Sequence, residues 1–233
     1  MMTLRTAFSR TSYPNTTRHA SEVVLGFTPN KQPKSFGIFD EIRTEVIRKS
    51  LHFLIALVPS IAYFIGTEMT FALLSLGVLF YAFAEFFRYQ GFRIPVISRL
   101  TELASRERDQ DTFVLGPVTL GLGAMISIML YPNPAAAVAV YALAFGDGFA
   151  SLIGKIAGSI RLPFTGGKSL EGSVACFLAV LLPASILLDS VILGFSVALF
   201  ATVIEAIPSK DFDNILMPTA VGGFVMLLPV IGG

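Results

Sequence analysis

Glycines, two lysines and two isolated acids interrupt an otherwise apolar chain in the segment GDGFASLIGKIAGSIRLPFTGGKSLEGS, residues 146 to 173. Glycine lets backbone N–H groups approach an anion closely, and lysine adds a positive point charge. The segment therefore predicts a phosphate-binding loop, with the expected contacts Gly154, Lys155, Gly166, Gly167, Lys168 and Ser169. The alternative is a flexible basic loop that meets only lipid headgroups.

The stretch TGGKS at residues 165 to 169 looks like the end of a P-loop, but the pattern is incomplete. A P-loop has a glycine five residues before its second glycine, and this chain has Leu162 there. No strand-like run leads into the stretch either. Lys168 and the N-terminus of the next helix, with Ser169 as its predicted N-cap, would instead hold the anion together.

Asp147 lies inside an apolar run, between AVAVYALAFG and GFASLIG. Ionisable groups at membrane depth are costly and usually mark function. Helical spacing predicts one small, polar face with Ala144, Asp147, Ser151, Gly154 and Gly158. This face predicts either close helix packing or the docking of a polar ligand, and a carboxylate there can hold Mg²⁺ together with substrate phosphates.

The elements that carry these residues are predicted to be membrane helices. The 233 residues are 54% hydrophobic and 14% charged with a mean hydropathy of +0.72, whereas a soluble domain has about 25% charged residues. Seven apolar stretches are the candidate crossings: 51–65, 69–87, 113–131, 135–153, 173–188, 191–207 and 215–230. Several are shorter than the ~20 residues of a straight crossing, so they must recruit flanking residues or enter only partly. The predicted fold is an all-α polytopic membrane protein with about seven transmembrane helices.

The charges predict the orientation of these helices. If the stretches alternate sides, all 17 Lys and Arg residues lie on one side, and the other side carries only Glu68 and Asp189. The positive-inside rule makes the charged side, with the N-terminus and the long loops, cytoplasmic. The active face is therefore expected to be cytoplasmic and to belong to a catalytic domain of residues 41–233. Residues 1–40 are expected to form a disordered tail, with a targeting peptide as the alternative.

Further polar residues lie near the ends of the predicted helices. Glu85 and Glu205 come near the ends of the second and sixth stretches, while Arg48 and Lys49 precede the first and are as readily explained as headgroup charges. The single cysteine, Cys176, excludes a disulfide framework, and no Cys/His spacing predicts a zinc site.

Together these residues resemble the CTP-dependent polyprenol kinases, which include dolichol kinase, phytol kinase and the yeast-type CTP diacylglycerol kinase. The central motif is Gly146-Asp147-x-x-Ala150, then Gly154-Lys155, then Lys168-Ser169-Leu170-Glu171-Gly172-Ser173. The opening motif is similar to Glu45-x-x-Arg48-Lys49-x-x-His52, and the late acidic motif to Glu205 followed by Asp213-Asn214. The likeness covers roughly residues 41 to 225.

The resemblance implies a kinase that transfers the terminal phosphate of a nucleoside triphosphate, CTP, to a lipid alcohol such as a polyprenol, phytol or diacylglycerol. The implied catalytic residues are Asp147, Lys168, Glu171 and Glu205. Asp147 and Asp213 would hold Mg²⁺, and Lys155 and Lys168 would neutralise the phosphates. Glu171 or Glu205 would orient or deprotonate the lipid hydroxyl. No nucleic acid partner is expected.

Two other functions stay open. The related phosphatidate cytidylyltransferases share the Asp-x-x-Ala and Lys-x-x-Glu-Gly core, but their His-Gly-Gly and Asp-Arg-x-Asp runs do not follow residues 209–214 here. The kinase is therefore favoured over a CDP-lipid synthase. A small transporter lined by Glu85, Asp147 and Glu205 is the second alternative. The acids cluster at one membrane face and no repeated halves are found, which disfavours transport.

Overall fold

A computed structural model describes residues 38–92, 101, 103, 112–209 and 212–228. The helices in these ranges are α1 Ile38–Ile55, α2 Val58–Ile65, α3 Thr67–Tyr89, α4 Gly116–Leu130, α5 Ala135–Tyr141, the π-helical segment Ala142–Asp147, α6 Gly148–Ile156, α7 Leu170–Leu187, α8 Val191–Ala206 and α9 Asp213–Met226. Across the same ranges, β-type pairing is limited to one bridge between Arg161 and Ser169. The all-α prediction is thus confirmed for this part of the chain. The predicted tail, apart from the first residues of α1, lies outside the described residues.

Four helical stretches are long and apolar enough to cross a membrane: Ile42–Ile65, Thr67–Tyr89, Ala135–Ile156 and Leu170–Leu187. Helices α4 and α8 are apolar but have 15 and 16 residues, which makes them roughly 23 Å long at the α-helical rise. Helix α9 has 14 residues. The chain is therefore a multi-pass helical membrane protein, with four candidate crossings in the part that the structure describes. Crossing by α4, α8 and α9, and with it the count of seven, stays a prediction.

Large apolar side chains cover the outer surface of the long helices. On α3, Leu76, Leu79, Phe80 and Phe83 are all more than half exposed. Exposed apolar area on this scale is unfavourable in water but not in hydrocarbon, where lipid tails surround it. This surface agrees with the membrane location that the composition predicts.

The buried core forms around the continuous helix that runs from α5 through the π-helical segment into α6. Its residues Ala135, Val138 and Ala142 pack with residues of α7, α8 and α9. Small side chains allow helix axes to approach closely, which stabilises helix pairs in a membrane. Cys176 of α7 is fully buried in this core and therefore serves packing.

The loop from 157 to 169 folds back on itself before α7. The Leu162 N–H donates to the Lys168 carbonyl at 2.9 Å, and the Leu170 N–H donates to the Ile160 carbonyl at 2.9 Å. Gly166 and Gly167, with φ of 71° and 96°, make the reversal, because the left-handed region is open to glycine at little cost. The Ser169 hydroxyl accepts from the Gly172 N–H at 3.1 Å, so the predicted N-cap is confirmed.

Candidate active site

The carboxylate of Asp147 lies at the centre of a buried polar cluster. Its Oδ2 pairs with the ammonium of Lys49 and lies 3.0 Å from Nε2 of His52. Its Oδ1 accepts from the Ser151 hydroxyl at 3.3 Å. Asp147 is the last residue of the π-helical segment and is only 4% exposed. Single π-helical turns inside α-helices are frequent at functional sites, and here the turn presents the carboxylate to α1.

Lys49 is 2% exposed, so it does not lie among the lipid headgroups. The headgroup explanation that the sequence left open is therefore wrong for this residue. Removing an ammonium and a carboxylate from water costs several kcal/mol per ion, and only a close, hydrogen-bonded partner offsets that cost. The attraction between Lys49 and Asp147 offsets the cost of burying their charges, although 98 positions separate the two residues in the chain. The pair therefore fixes α1 against the helix that carries Asp147.

A chain of hydrogen bonds continues from this pair to α9 and α4. Nε2 of His52 also lies 3.0 Å from Oδ1 of Asn214. Nε2 thus faces the oxygen atoms of two side chains and can donate to either of them when it bears the ring proton. The Asn214 amide in turn donates to the Thr119 hydroxyl at 2.9 Å and to the Gly116 carbonyl at 3.3 Å. Four helical segments that are distant in sequence are thus held in one arrangement around Asp147.

A second ion pair joins the start of α7 to the end of α8. Nζ of Lys168 lies 2.8 Å from Oε1 of Glu205 and also donates to the Glu205 backbone carbonyl. An ammonium is favourable at that point, because carbonyl groups at a helix C-terminus carry partial negative charge. Oε2 of Glu205 is buried and has no hydrogen-bond partner among the described residues. A buried carboxylate oxygen with no partner is costly, so this atom has unused capacity to accept a hydrogen bond.

A polar cavity of about 560 Å³ separates the two ion pairs. It is lined by Asp147, Gly154, Lys155, Gly166, Gly167, Lys168, Ser169, Glu205 and Asp213 among others. These are all of the site residues that the sequence predicts, except Glu171. The arrangement places three predicted carboxylates and two predicted lysines around one space large enough for a polar ligand.

Glu171 lies apart from this cavity. Its Oε1 accepts from the backbone N–H groups of Ser159 at 2.9 Å and Ile160 at 3.2 Å. The carboxylate therefore braces the loop that precedes α7. Its assignment as the group that activates a hydroxyl stays a prediction. The contacts of the carboxylate in the structure are with the loop backbone.

The carboxylate of Asp213 faces the cavity from the first turn of α9. Its Oδ1 accepts from the Asn214 N–H at 3.0 Å. Burial and the negative charge of Asp147 raise the pKa of Asp213, and a cation between the two carboxylates would relieve that repulsion. No group of three His, Cys, Asp or Glu side chains in the described ranges could hold a metal ion unaided. Two carboxylates fit Mg²⁺ that arrives with phosphate ligands, since Mg²⁺ is commonly bound by one or two carboxylates plus substrate phosphates.

An apolar cavity of about 340 Å³ lies between α1, α3 and α4. Leu73, Leu74, Val78 and Leu120 contribute to its walls. Arg48 and Asp213 line both this cavity and the polar one. The two spaces therefore adjoin each other at these two side chains.

Lys49, His52 and Asn214 are central to the site but are absent from the residues that the sequence singled out for catalysis or binding. A signal for the first two does exist, because a spacing of three residues puts Lys49 and His52 on one face of α1. Asn214 directly follows Asp213 at the predicted start of a helix. What the sequence does not contain is the contact of Lys49 and His52 with Asp147 and of Asn214 with His52.

The site defines a class of multi-pass helical membrane protein in which a charged cavity adjoins an apolar one. No family model and no solved structure matches the chain. Curated proteins do match it. A probable chloroplastic phytol kinase of Oryza sativa subsp. japonica is 32% identical over 148 residues, which cover 56% of this chain and 47% of that protein.

Longer alignments reach further relatives. A probable chloroplastic phytol kinase of Zea mays is 29% identical over 207 residues, 78% of this chain and 68% of that protein. The dolichol kinase of Bos taurus is 26% identical over 198 residues, 74% of this chain and 36% of that protein. The chain thus spans about half the length of the rice relative and a smaller share of the bovine one. These matches confirm the resemblance, and the chain is homologous to the phytol and dolichol kinases.

Proposed function

We propose that the chain is a lipid kinase that transfers the terminal phosphate of a nucleoside triphosphate, CTP by resemblance, to a lipid alcohol. The observation that carries the proposal is the junction of a polar and an apolar cavity at Arg48 and Asp213. A reaction between a triphosphate and a membrane alcohol needs two such spaces that meet at one point. The names of the homologous proteins support the same reaction class.

The polar cavity is the proposed triphosphate site. Lys155 and Lys168 bring positive charge to it, and the N-terminus of α7 adds the partial positive charge of the helix dipole. The Arg161 guanidinium donates to the Gly167 carbonyl at 2.8 Å and so keeps the loop folded beside the cavity. Phosphoryl transfer depends mainly on positioning and on charge stabilisation, so these few groups suffice.

Asp147 and Asp213 are the proposed ligands of Mg²⁺. The Oδ1 atom of Asp147 accepts only the Ser151 hydroxyl, at 3.3 Å, among its described contacts, so it has capacity for another ligand. The bound ion would neutralise negative charge on the phosphates. Lys49 orients the Asp147 carboxylate and balances its charge by pairing with its other oxygen.

In the proposed reaction the lipid hydroxyl oxygen forms a bond to the terminal phosphorus, and the bond from that phosphorus to the bridging oxygen breaks. The nucleoside diphosphate leaves with the bonding electrons. The hydroxyl proton passes to a carboxylate, and we assign this role to Glu205 because it lines the polar cavity and its Oε2 has no partner among the described residues. Glu171, the other predicted candidate, does not line that cavity.

The test uses the purified full chain with phytol, a polyprenol, diacylglycerol or phosphatidate as the acceptor, and with CTP labelled at either the γ or the α phosphate. A kinase transfers the γ label to lipid, and the α label stays in CDP. Transfer of the α label would identify a CDP-lipid synthase instead. Absence of labelled lipid with every alcohol, from CTP and from ATP alike, would overturn the kinase.

The same proposal includes an orientation. The triphosphate cavity is lined by Lys155, Arg161 and Lys168, which belong to a basic loop, and the positive-inside rule would make the side of that loop cytoplasmic or its organellar equivalent. Nucleoside triphosphates are present there. A membrane-impermeant thiol reagent tests the orientation with Ser159→Cys in intact cells against inside-out vesicles, because Ser159 is in the exposed loop. Labelling in intact cells would contradict it.

A further inference from the structure

We propose that the apolar cavity between α1, α3 and α4 binds the hydroxyl-bearing end of an isoprenoid lipid alcohol, and that the tail of that lipid leaves the protein sideways past Gly77. The inference rests on the proposed kinase function and adds the position of the acceptor, its route and a residue that limits its access. Two features of the cavity and one of its rim carry it.

The first feature is polarity that changes along the cavity. The apolar walls of the cavity include Leu73, Leu74, Val78 and Leu120. Charged and polar side chains line it too, namely Arg48, Lys49, His52, Asp213 and Asn214. Lys49 and His52 contact Asp147, and His52 contacts Asn214, so these charged and amide side chains lie together at the α1–α9 side of the cavity. A molecule with one hydroxyl on an apolar chain matches this distribution, since its chain can be buried while its hydroxyl keeps hydrogen-bond partners.

The second feature is that this cavity adjoins the polar cavity. Arg48 and Asp213 line both spaces, so a hydroxyl at the polar side would adjoin the proposed phosphate site. A different apolar groove, of about 310 Å³, is formed by Phe145, Phe149, Leu178 and Leu182 among others. Every residue that lines that groove is apolar. It offers no partner for a hydroxyl, so the observations favour the cavity between α1, α3 and α4.

The rim of the cavity opens toward the lipid-facing surface of α3. Leu73, one turn before Gly77, is 52% exposed although it lines the cavity. A Cβ atom placed on Gly77 would meet nothing within 4 Å. Helix packing therefore does not account for this glycine. Its missing side chain leaves space where a lipid chain can pass between the cavity and the bilayer.

Contacts from α3 hold the opposite wall of the cavity in place. The Tyr81 hydroxyl donates to the Val114 carbonyl at 3.2 Å, and the Val114 N–H donates to Oε1 of Glu85 at 2.9 Å. The Arg88 guanidinium donates to the Thr112 carbonyl at 3.0 Å. Since Tyr81, Thr112 and Val114 all line the cavity, these bonds fix its shape independently of Gly77.

The first experiment measures binding without catalysis. Wild-type protein in detergent is irradiated with a farnesol analogue that carries a diazirine on its tail, and the labelled peptides are mapped with and without excess farnesol. Labelling of α3 and α4 that farnesol suppresses supports the cavity. Labelling that farnesol does not suppress, or that maps only to α7 near Leu178 and Leu182, would overturn it. A failed kinase assay would leave this result unaffected, so the two proposals are tested separately.

The second experiment fills the opening with Gly77→Phe. We expect the KM for the lipid alcohol to rise at least about tenfold with the nucleotide KM unchanged, and diazirine labelling to fall by a similar factor. Leu76→Phe is the matched control, because Leu76 is adjacent in sequence, 66% exposed and absent from the cavity lining. The thermal unfolding midpoint checks that both variants fold. Unchanged lipid KM and labelling in a folded Gly77→Phe protein would refute the route, and so would equal effects in both variants.

Discussion

Replacing Lys49 with methionine tests whether the buried pair with Asp147 organises the site. Methionine keeps the length of the side chain but removes the ammonium, so an ionised carboxylate stays in a site where it is 4% exposed. Breaking a buried ion pair in this way costs about 3 to 5 kcal/mol. We expect about 3 kcal/mol, the low end, because His52 and Ser151 still contact the carboxylate. For a chain of this size that corresponds to a fall in Tm of roughly 6 to 12 °C.

The companion change Asp147→Asn completes a double-mutant cycle. In Lys49→Met/Asp147→Asn neither charge remains, and asparagine can still accept from Ser151. We therefore expect the double variant to recover at least half of the lost Tm, while both single variants and the double variant make no labelled lipid. The assays are thermal unfolding in one detergent and phosphate transfer from γ-labelled CTP, with correct membrane insertion checked for each variant.

Lys155→Met is the matched control for loss of a lysine charge. Lys155 also lines the polar cavity, but its side chain is exposed, so its replacement should change stability by no more than about 0.5 kcal/mol. The reasoning fails if Lys49→Met is as stable as the wild type. It also fails if the double variant loses the sum of the two single effects, because uncoupled residues add in this way.

Three further substitutions test the assignments in the polar cavity. Lys168→Arg should raise the nucleotide KM or lower kcat at least about tenfold, which corresponds to roughly 1.4 kcal/mol. The reason is that a planar guanidinium cannot replace a compact ammonium between the Glu205 carboxylate and the Glu205 carbonyl. Wild-type kinetics in this variant would remove the reason for placing the triphosphate here. Asp213→Asn should raise the Mg²⁺ concentration for half-maximal activity at least about tenfold, and an unchanged Mg²⁺ titration would contradict its role as a ligand. Glu171→Gln should keep kcat within about threefold of the wild type, because its contacts are to loop N–H groups; a loss of a hundredfold or more would return Glu171 to the catalytic group.

Local patterns in the sequence were enough to locate the apolar helices, but they did not predict that α1 begins at Ile38 or that the stretch 51–65 is divided between α1 and α2. Each of the seven apolar stretches overlaps a helix of the structure, since a continuous apolar run in a membrane protein has no other stable backbone form. The cap at Ser169 and the glycine turn before it also follow from short-range chemistry. Helix lengths were less predictable. Helix α7 begins at Leu170, not at residue 173, because the charged and small residues of its first turn carry no apolar signal.

The pairing of distant residues could not be predicted in the same way. Lys49 and Asp147 are 98 positions apart, and His52 and Asn214 are 162 apart. Both contacts depend on how α1 packs, and helix packing follows from the whole set of side chains. The π-helical segment that ends at Asp147 is equally hidden, because AVAVYALAFG has the composition of an ordinary apolar helix. The small, polar face predicted from the sequence therefore contains Asp147 and Ser151, but it does not include Lys49 and His52 of α1, which contact Asp147 in the structure.

Glu85 distinguishes between the two classes of function that the sequence left open. A transporter lined by Glu85, Asp147 and Glu205 would need all three acids along one path. Glu85 is fully buried, and its two oxygens accept from the Arg88 guanidinium at 2.6 and 2.7 Å and from the Val114 N–H. Its charge is thus neutralised within one turn of α3, and it lines neither the polar nor the apolar cavity. Glu85 therefore holds a wall of the apolar cavity in place and does not line a path for ions. This role favours an enzyme with a binding site for its acceptor over a transporter.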